Sequence, residues 1–591
     1  MVDIQGFHNL REIYQGKKAV VYRGQRQSDG QPVALKFLRE ECPTLEEVQQ
    51  TNREYEILLS LAGKPGVIKT YEISKFHNSP VLVLEDIGAE SLRVWLMKGR
   101  RFSLKEVLSI GAAAALGEIH AARVIHKDIN PGNILYNPEN GAVRIIDFSI
   151  ASVLSLENPQ LQPPEHLEGT LSYISPEQTG RMNRLLDFRT DFYSLGATLY
   201  ELLTDQPPFA TTDPLELVHC HIAKLPVACH ELHPEIPQVV SAIVMKLLSK
   251  NAERRYRSAL GIKVDLEECL RQLRRTTNIQ SFALGRKDVS DRLMIPQKLF
   301  GRKDEIEALL AGFERVSQGK KELVLVAGPS GIGKTSLVQE VHRPMTRKQA
   351  FYLAGKFDAL RRDTPYTAFV GAFRQLAQQL LTEPKEKLRG WREKVLSAVG
   401  INGQVLVEMV PELALFLGEQ TKLVQLPATE AQNRFRWVIQ KFLEVFARPE
   451  HPLILFLDDL QWADSASLGL LNLLMTSEDI GCLCLIGAYR DNEVSDTHPL
   501  VQALAQIQKN GAVVQRISLS PLGLADVQEL LSDTLQSMPD QTVGLATLLV
   551  GKTQGNPFFL SEFLRTLSTE GLLWFETASS SWHWELTRIE G

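Results

Sequence analysis

The 591-residue chain contains no run of 18 or more uncharged apolar residues, so no segment reads as a membrane-spanning helix. Its opening, Met1-Val-Asp-Ile-Gln-Gly, lacks the basic and apolar regions of a secretory signal, which predicts a cytoplasmic location. Cysteine is sparse. Six (Cys42, Cys220, Cys229, Cys269, Cys482 and Cys484) are scattered without the spacing of a disulfide framework, as expected of a reducing compartment. An excess of charge is missing too: a net charge of -5 gives no electrostatic reason to expect nucleic acid or an anionic membrane surface as a partner. Internal repeats and low-complexity tracts are absent.

What is present is length and an ordinary globular composition. A chain of 591 residues is about four times the ~150 of a typical domain, so at least two independent cores are expected. From Val20 to about Leu84 the pattern is β-rich, with Val33-Ala-Leu-Lys-Phe-Leu and Val81-Leu-Val-Leu-Glu as strand-length apolar runs around one helix. Helical periodicity takes over at Ser103, as in Leu104 to Ile119, and persists to about Leu273. A polar, basic stretch over about 274–296, ending in Pro296-Gln-Lys-Leu-Phe-Gly-Arg, reads as a linker. Beyond it, the apolar runs Leu323 to Ala327, Leu453 to Leu457 and Cys482 to Ala488 alternate with helical stretches, the pattern of a mostly parallel α/β sheet.

Three motifs in the first half occur in the order that phosphoryl transfer from ATP requires. Lys36, in Val33-Ala-Leu-Lys, can place a fixed positive charge on the α and β phosphates if a carboxylate steadies it. Glu54, in Arg53-Glu-Tyr-Glu-Ile-Leu, is the chosen partner; Glu56, two residues along the helix and on another face, is the runner-up. His126-Lys-Asp-Ile-Asn-Pro-Gly-Asn supplies Asp128 to accept a hydroxyl proton and Asn133 as an oxygen ligand for Mg²⁺. Asp147, after the strand Val143-Arg-Ile-Ile, would bridge metal and phosphates, so Mg²⁺ and ATP are the implied cofactors. Taken alone, Lys36 reads as a strand lysine with a solvated head; the ordered set reverses that.

Over about residues 7–273 these motifs resemble the Hanks-type (eukaryotic-like) serine/threonine protein kinases. The resemblance implies a domain at 1–273, with a small lobe over about 7–88 and a large lobe over about 89–273. Gly169-Thr-Leu-Ser-Tyr-Ile-Ser-Pro-Glu resembles the family's segment closing the activation loop, where Thr170 would mark serine/threonine preference and Glu177 would ion-pair with Arg255. Asp191 is similar to the aspartate that braces the catalytic loop. The chain departs from the pattern at the nucleotide-covering loop, Tyr14-Gln-Gly-Lys-Lys-Ala-Val-Val-Tyr, which keeps only Gly16 of three glycines. Lys127 replaces the usual arginine, Asn130 a phosphate-contacting lysine and Ser149 a glycine, and control by phosphorylation of Ser155 or Thr170 is a further expectation.

In the second half, Gly328-Pro-Ser-Gly-Ile-Gly-Lys-Thr-Ser fits G-x-x-x-x-G-K-[ST] between a predicted strand and a helix. Gly328, Gly331 and Gly333 would let main-chain N–H groups wrap phosphates, Lys334 would reach the β and γ phosphates, and Thr335 would ligate Mg²⁺; Ser336 completes the nucleotide-binding set. Pro452-Leu-Ile-Leu-Phe-Leu-Asp-Asp adds Asp458 for the metal and Asp459 to orient an attacking water. From about Phe300 onward this half resembles the signal-transduction ATPases with numerous domains, relatives of the AAA+ proteins, with Asp458-Asp-Leu-Gln-Trp-Ala-Asp-Ser a close match. By that resemblance Arg490 is the sensor arginine, and Gly555-Asn-Pro-Phe-Phe-Leu is the lid motif whose Pro557 touches adenine. A core at 297–525, then a helical lid and the start of a truncated domain at 526–591, are implied.

The expected architecture is therefore an α+β bilobal protein-kinase fold followed by an α/β P-loop NTPase domain with a helical lid. The combination resembles large multidomain signalling kinases of cyanobacteria and other bacteria, which continue into a GAF sensor and a histidine kinase; protein substrates and such downstream modules or two-component proteins are the expected partners. No His-Glu-Leu-Arg segment occurs, and the final Trp582-His-Trp-Glu-Leu reads as mid-domain sequence, so a truncated or split product is expected. Two rivals stand beside the gated kinase: a nucleotide-binding scaffold without useful turnover, and a small-molecule kinase, disfavoured by Thr170 and Ser175-Pro-Glu. His219, Cys220, His221, Cys229, His230 and His233 lack zinc-finger spacing and read as a helix and turn. Cys482 and Cys484 read as buried strand residues on one face.

Overall fold

A computed structural model describes residues 6–16, 18–40, 43–76, 79–114, 116–153, 169–180, 186–276, 278–290, 292–296, 298–346, 350–359, 364–381, 383, 385–421, 423–576, 579 and 581–590. Two compact units divide it, Met1–Ser290 and Asp291–Gly591.

The first unit begins with five antiparallel strands, Phe7–Gln15, Ala19–Arg26, Pro32–Leu38, Thr70–Phe76 and Ser79–Glu85, in the order first, second, third, fifth, fourth. In the third strand Val33, Leu35 and Phe37 alternate into a core shared with Phe7, Val81 and Val83, which turns Lys36 to the other face. The helix Leu45–Ser60 is started by a capping box between Thr44 and Glu47 and buries Glu54, Ile57 and Leu58 on one stripe. The rest of the unit is mainly helical around Arg189–Thr204, buried along nearly its whole length. Two small ladders carry the loops: Ile134–Tyr136 with Val143–Ile145 and Glu90–Ser91, and Val124–Ile125 with Ser152–Val153.

Two expectations change here. The helix expected over Leu104 to Ile119 is two helices, Leu104–Ala113 and Leu116–Ala121, broken at Ala114, whose ψ of 114° is extended; the sequence there carries no helix-stopping residue. The stretch read as a linker is folded onto the first unit for about half its length. Ile279 is buried, Gly285 N donates to Asp265 Oδ2 at 2.8 Å, and Asp288 Oδ1 accepts from the main-chain N–H groups of Arg257 and Ser258 at 2.9 Å each. Polar side chains that cap a distant helix start carry no periodicity of their own, which is why the segment looked unattached.

The second unit is built on five parallel strands in the order Phe351–Lys356, Leu453–Asp458, Leu483–Tyr489, Glu322–Ala327, Val514–Ser518. Leu323, Leu325 and Ala327 join one apolar cluster while Val324 and Val326 join another, so the sheet is covered on both faces, as continuous apolar strands require. A third core gathers the helices Leu524–Leu535, Pro539–Thr553 and Pro557–Thr569 with the hairpin Leu573–Glu576 and Ser581–Trp584. Both Cys482 and Cys484 are buried as expected, but only Cys484 lies in the strand; Cys482 precedes it at a φ of 44°, so the two are not a pair on one strand face. Among the described residues no helix is long and apolar enough to cross a membrane.

Candidate active sites

In the first unit, strand and helix converge on Lys36. Its Nζ lies 2.8 and 2.9 Å from the two carboxylate oxygens of Glu54 and 2.7 Å from Asp147 Oδ1. Glu54 is the inward residue of its helix, 3% exposed, and also accepts from Phe148 N at 3.2 Å; Glu56 faces solvent. Asp147 sits at a φ of 64°, a left-handed conformation that an aspartate tolerates better than most residues. Burial alone would make Lys36 lose its proton more easily, but Asp147 and Glu54 outweigh it and hold the ammonium above its ordinary pKa. Burial likewise works against the charged carboxylate of Asp147, and Lys36 reverses that, drawing it down to about 2. For Glu54 burial prevails and its pKa is raised.

The neighbouring loop is held from beneath. Asp191, with no exposed surface, accepts from Lys127 N at 2.8 Å through Oδ1, and from His126 N at 2.9 Å through Oδ2, which also lies 2.8 Å from His120 Nε2. These bonds fix the loop at Lys127, whose φ is 68°. Asp128 follows, with Oδ2 accepting from Asn133 Nδ2 at 2.9 Å and Oδ1 from Thr170 N at 2.8 Å. Asn130 Nδ2 reaches Thr170 Oγ1 at 3.2 Å while its Oδ1 accepts from Gly132 N at 2.7 Å, so this residue ties the loop to the segment opposite. Glu177 and Arg255 form a buried two-pronged pair at 2.5 and 2.8 Å. Gly16 N donates to Ala19 O at 2.8 Å, and a Cβ on Gly16 would lie 2.6 Å from Tyr14 Oη, so Tyr14 covers the turn. Ser149 donates its N–H toward Asp147 Oδ1 at 3.4 Å. Ser155 lies outside the described residues.

In the second unit, three adjacent strand ends deliver the polar residues to one edge, the carboxyl end where parallel sheets bind ligands. Gly328, Gly331 and Gly333 have φ of 152°, 75° and 99°, and a Cβ on Gly331 would come within 2.8 Å of Phe558 Cβ. Lys334 opens the helix Lys334–Thr346 and donates to Gly328 O and Pro329 O at 2.9 Å each. Thr335 Oγ1 donates to Asp458 Oδ2 at 3.0 Å; Ser336, one residue on, is exposed. Burial lowers the pKa of Lys334 and raises that of Asp458, the latter helped by Asp459. Asp459 lies 3.2 Å from Lys356 Nζ and 3.6 Å from Arg490 Nε and accepts from Gln461 Nε2 at 2.8 Å. Pro557 is the first residue of its helix, next to the capping Asn556, whose Nδ2 donates to Ser330 O at 2.9 Å, and Phe558 N donates to Gly331 O at 3.2 Å.

Comparison with known proteins assigns a family to part of each unit. Residues 7–265 match the protein kinase domain family and residues 298–486 the AAA ATPase domain family. The chain is a Hanks-type kinase domain fused to an AAA ATPase domain. Hybrid signal transduction histidine kinase G of Dictyostelium discoideum is 33% identical over 71% of the chain and 14% of its own length. A probable serine/threonine-protein kinase of Streptomyces coelicolor is 34% identical over 43% of the chain and 38% of its own length, and Histidine protein kinase 1 of Candida albicans is 26% identical over 60% and 16%. The chain thus spans less than two fifths of the length of these curated relatives.

Within the kinase domain the residues singled out from sequence fall in two hydrogen-bonded sets, Lys36 with Glu54 and Asp147 and Asp128 with Asn133, on loops joined by Ile146 N donating to Asn133 O at 2.9 Å. In the ATPase domain Lys334, Thr335, Asp458, Asp459 and Arg490 share one sheet edge. Sequence reasoning overlooked Gln461, Lys356 and Asn556. Gln461 stands inside the quoted Asp458-Asp-Leu-Gln-Trp segment, which was its one available signal. Asn556 likewise stands inside the quoted Gly555-Asn-Pro segment, whereas Lys356 approaches from a strand whose neighbours only the fold defines.

Proposed function

We propose that the chain transfers the γ-phosphoryl group of ATP to serine or threonine hydroxyls of proteins in signal transduction, with the ATPase domain acting as a nucleotide switch on that activity. The observation that carries the reading is the Lys36 ammonium held between Glu54 and Asp147 at 2.7 to 2.9 Å, beside a loop that presents Asp128. Lys36 supplies a fixed charge for the α and β phosphates, steadied by Glu54. Asp128 orients the substrate hydroxyl and takes its proton as the hydroxyl oxygen bonds to γ-phosphorus; the bond from phosphorus to the β-bridging oxygen breaks, and ADP leaves with that electron pair.

Magnesium suits the donors present. Asn133 directs its amide N–H groups to Asp128, which leaves Oδ1 as the atom with lone pairs for a cation, and Asp147 adds a carboxylate kept ionised beside Lys36. When bound, the metal would neutralise charge on the β and γ phosphates. In the ATPase domain, read here as a P-loop fold, Thr335 and Asp458 are the corresponding oxygen donors, Gly328, Gly331, Gly333, Lys334 and Ser336 the phosphate cradle, and Asp459 the carboxylate that orients water.

The helices beyond residue 525 are read as a lid. Direct bonds from Asn556 and Phe558 to the glycine-rich loop support it, and in this reading Pro557 touches the adenine and Arg490 is the sensor arginine. Phosphorylated protein substrates, sensor or histidine-kinase modules beyond this chain, and a cytoplasmic location belong to the same reading; two relatives are named histidine kinases. The rival, a nucleotide-binding scaffold, draws on Gly16 as the one glycine kept in its loop and on Thr170 N already bonded to Asp128 Oδ1 at 2.8 Å. The deciding test is transfer from labelled ATP·Mg²⁺ to the protein itself and to a generic serine/threonine substrate. Loss of phosphoserine and phosphothreonine in Asp128→Ala, with only an altered level in Lys334→Ala, supports the gated kinase; ATP binding without transfer in the unmodified protein leaves the scaffold.

A further inference from the structure

Gln461 is buried to 3% exposure at the tip of the strand Leu453–Asp458, in the turn Leu460–Trp462 that Asp459 opens at a φ of 56°. Both ends of its amide are used. Nε2 donates to Asp459 Oδ1 at 2.8 Å, and Oε1 accepts from the main-chain N–H of Arg490, at the end of the next strand, at 3.1 Å. From this geometry we propose that Gln461 is a positioning residue for ATP hydrolysis in the second unit, fixing the Asp459 carboxylate relative to Arg490. The inference rests on the ATPase reading above and adds a residue to it.

The other partners of Asp459 cannot supply that constraint. Lys356 Nζ is 3.2 Å from Oδ2, but its side chain is 67% exposed, so the pair is screened and mobile. Arg490 Nε stands 3.6 Å from Oδ1, beyond hydrogen-bond distance, with its guanidinium also turned to Glu493 at 2.8 Å and over the Trp462 ring. Gln461 provides the short, buried bond to Asp459, from a neutral donor. The chemistry demands an amide: a donor toward a carboxylate and an acceptor toward a main-chain N–H, on a side chain of this length. A glutamate would set a carboxylate against Asp459, and a leucine would satisfy neither partner.

The consequence is selective. Thr335 with Asp458, and Lys334 with Gly328 and Pro329, form without Gln461, so nucleotide binding is independent of it while the orientation of Asp459 is not. The test uses the full chain carrying Asp128→Ala, which removes phosphoryl transfer by the first unit; the signal lost on adding Lys334→Ala defines the second. Gln461→Leu and Gln461→Glu are each expected to lower kcat for ATP hydrolysis by about 10- to 100-fold, the usual effect of losing an outer hydrogen-bond partner. KM and the Kd for ATP by calorimetry stay within about twofold, because the binding contacts remain, while the thermal midpoint of the second unit falls by a few degrees as the buried partners of the amide lose their bonds. Retained kcat in both variants, with Asp459→Asn inactive, overturns the inference alone. So does a drop in kcat matched by an equal loss of ATP affinity in KM and Kd, which marks a structural role. Absence of Lys334-dependent hydrolysis in the starting protein overturns the ATPase reading and this inference with it.

Discussion

The two lysines proposed to meet phosphate, Lys36 and Lys334, are kept in opposite conditions. Lys36 is gripped by carboxylates 18 and 111 residues away in sequence and binds its proton more tightly than a free lysine. Lys334 donates to two main-chain carbonyls five and six residues behind it and binds its proton less tightly, because burial is only partly offset by Asp458 and Asp459. The first site is therefore a product of tertiary folding, assembled from a strand, a helix and a distant loop. The second is largely local, a loop that can satisfy its own lysine before any ligand arrives. Loss of tertiary structure should dismantle the first site directly, while the second depends on it mainly for Asp458 and Asp459.

Exchanging each lysine for methionine gives the largest contrast. Lys36→Met is expected to reduce phosphoryl transfer by about 10³-fold while ATP hydrolysis by the second unit continues; Lys334→Met abolishes that hydrolysis and changes only the level of transfer. Radiolabel transfer and phosphate release measured side by side would break the comparison if either variant silenced both activities.

A second pair of changes separates the units by stability. Glu177→Gln leaves Arg255, whose side chain has no exposed surface, without its charge partner, and should cost the first unit about 3–5 kcal/mol. Gly355→Ala would push a Cβ to 1.9 Å from Ala368 O in the second unit, an overpacking expected to cost about 1–3 kcal/mol. Urea unfolding followed by probes in each unit should move one transition per variant, and a common shift would contradict independent cores.

The smallest effect is a pH dependence confined to the first unit. Burial, reinforced by Arg255, pushes Lys250 down to about 7, where its Nζ lies 3.2 Å from Tyr193 Oη and 3.1 Å from Cys220 O. Between that value and the ordinary 10.5 the unfolded chain binds more protons, so folding becomes more favourable as pH rises from about 7. The thermal midpoint of the first unit should climb by a few degrees between pH 7 and pH 9, and Lys250→Met should flatten that climb. An equal climb in the variant would assign it to other groups.

The turn from strand into helix at Gly328 to Thr335 was legible because its glycines, lysine and threonine form one contiguous run, and the loops carrying Asp128, Asn133 and Asp147 because their spacing is short. The choice of Glu54 over Glu56 was legible from helix geometry, since residues two apart face different directions. Gln461 was hidden because its partners, Asp459 and the Arg490 N–H, become neighbours only when two strands lie side by side. Lys356 was hidden for the same reason. The break at Ala114 falls in an alanine-rich stretch whose intrinsic preference is for unbroken helix, so local sequence argued against it. Thr170 closing on Asp128 likewise joins segments 42 residues apart.

Asp288 carries a lesson for anyone excising the kinase domain. By pattern the domain stops near Leu273, yet the carboxylate that receives the N–H groups of Arg257 and Ser258 comes from 30 residues further along the chain. A fragment cut at residue 273 would keep every residue of the phosphate-transfer cleft and still leave its last long helix, Ala259–Thr276, shortened and its start uncapped. A fragment meant to keep that cap has to run past Asp288, to Ser290, where the first compact unit ends.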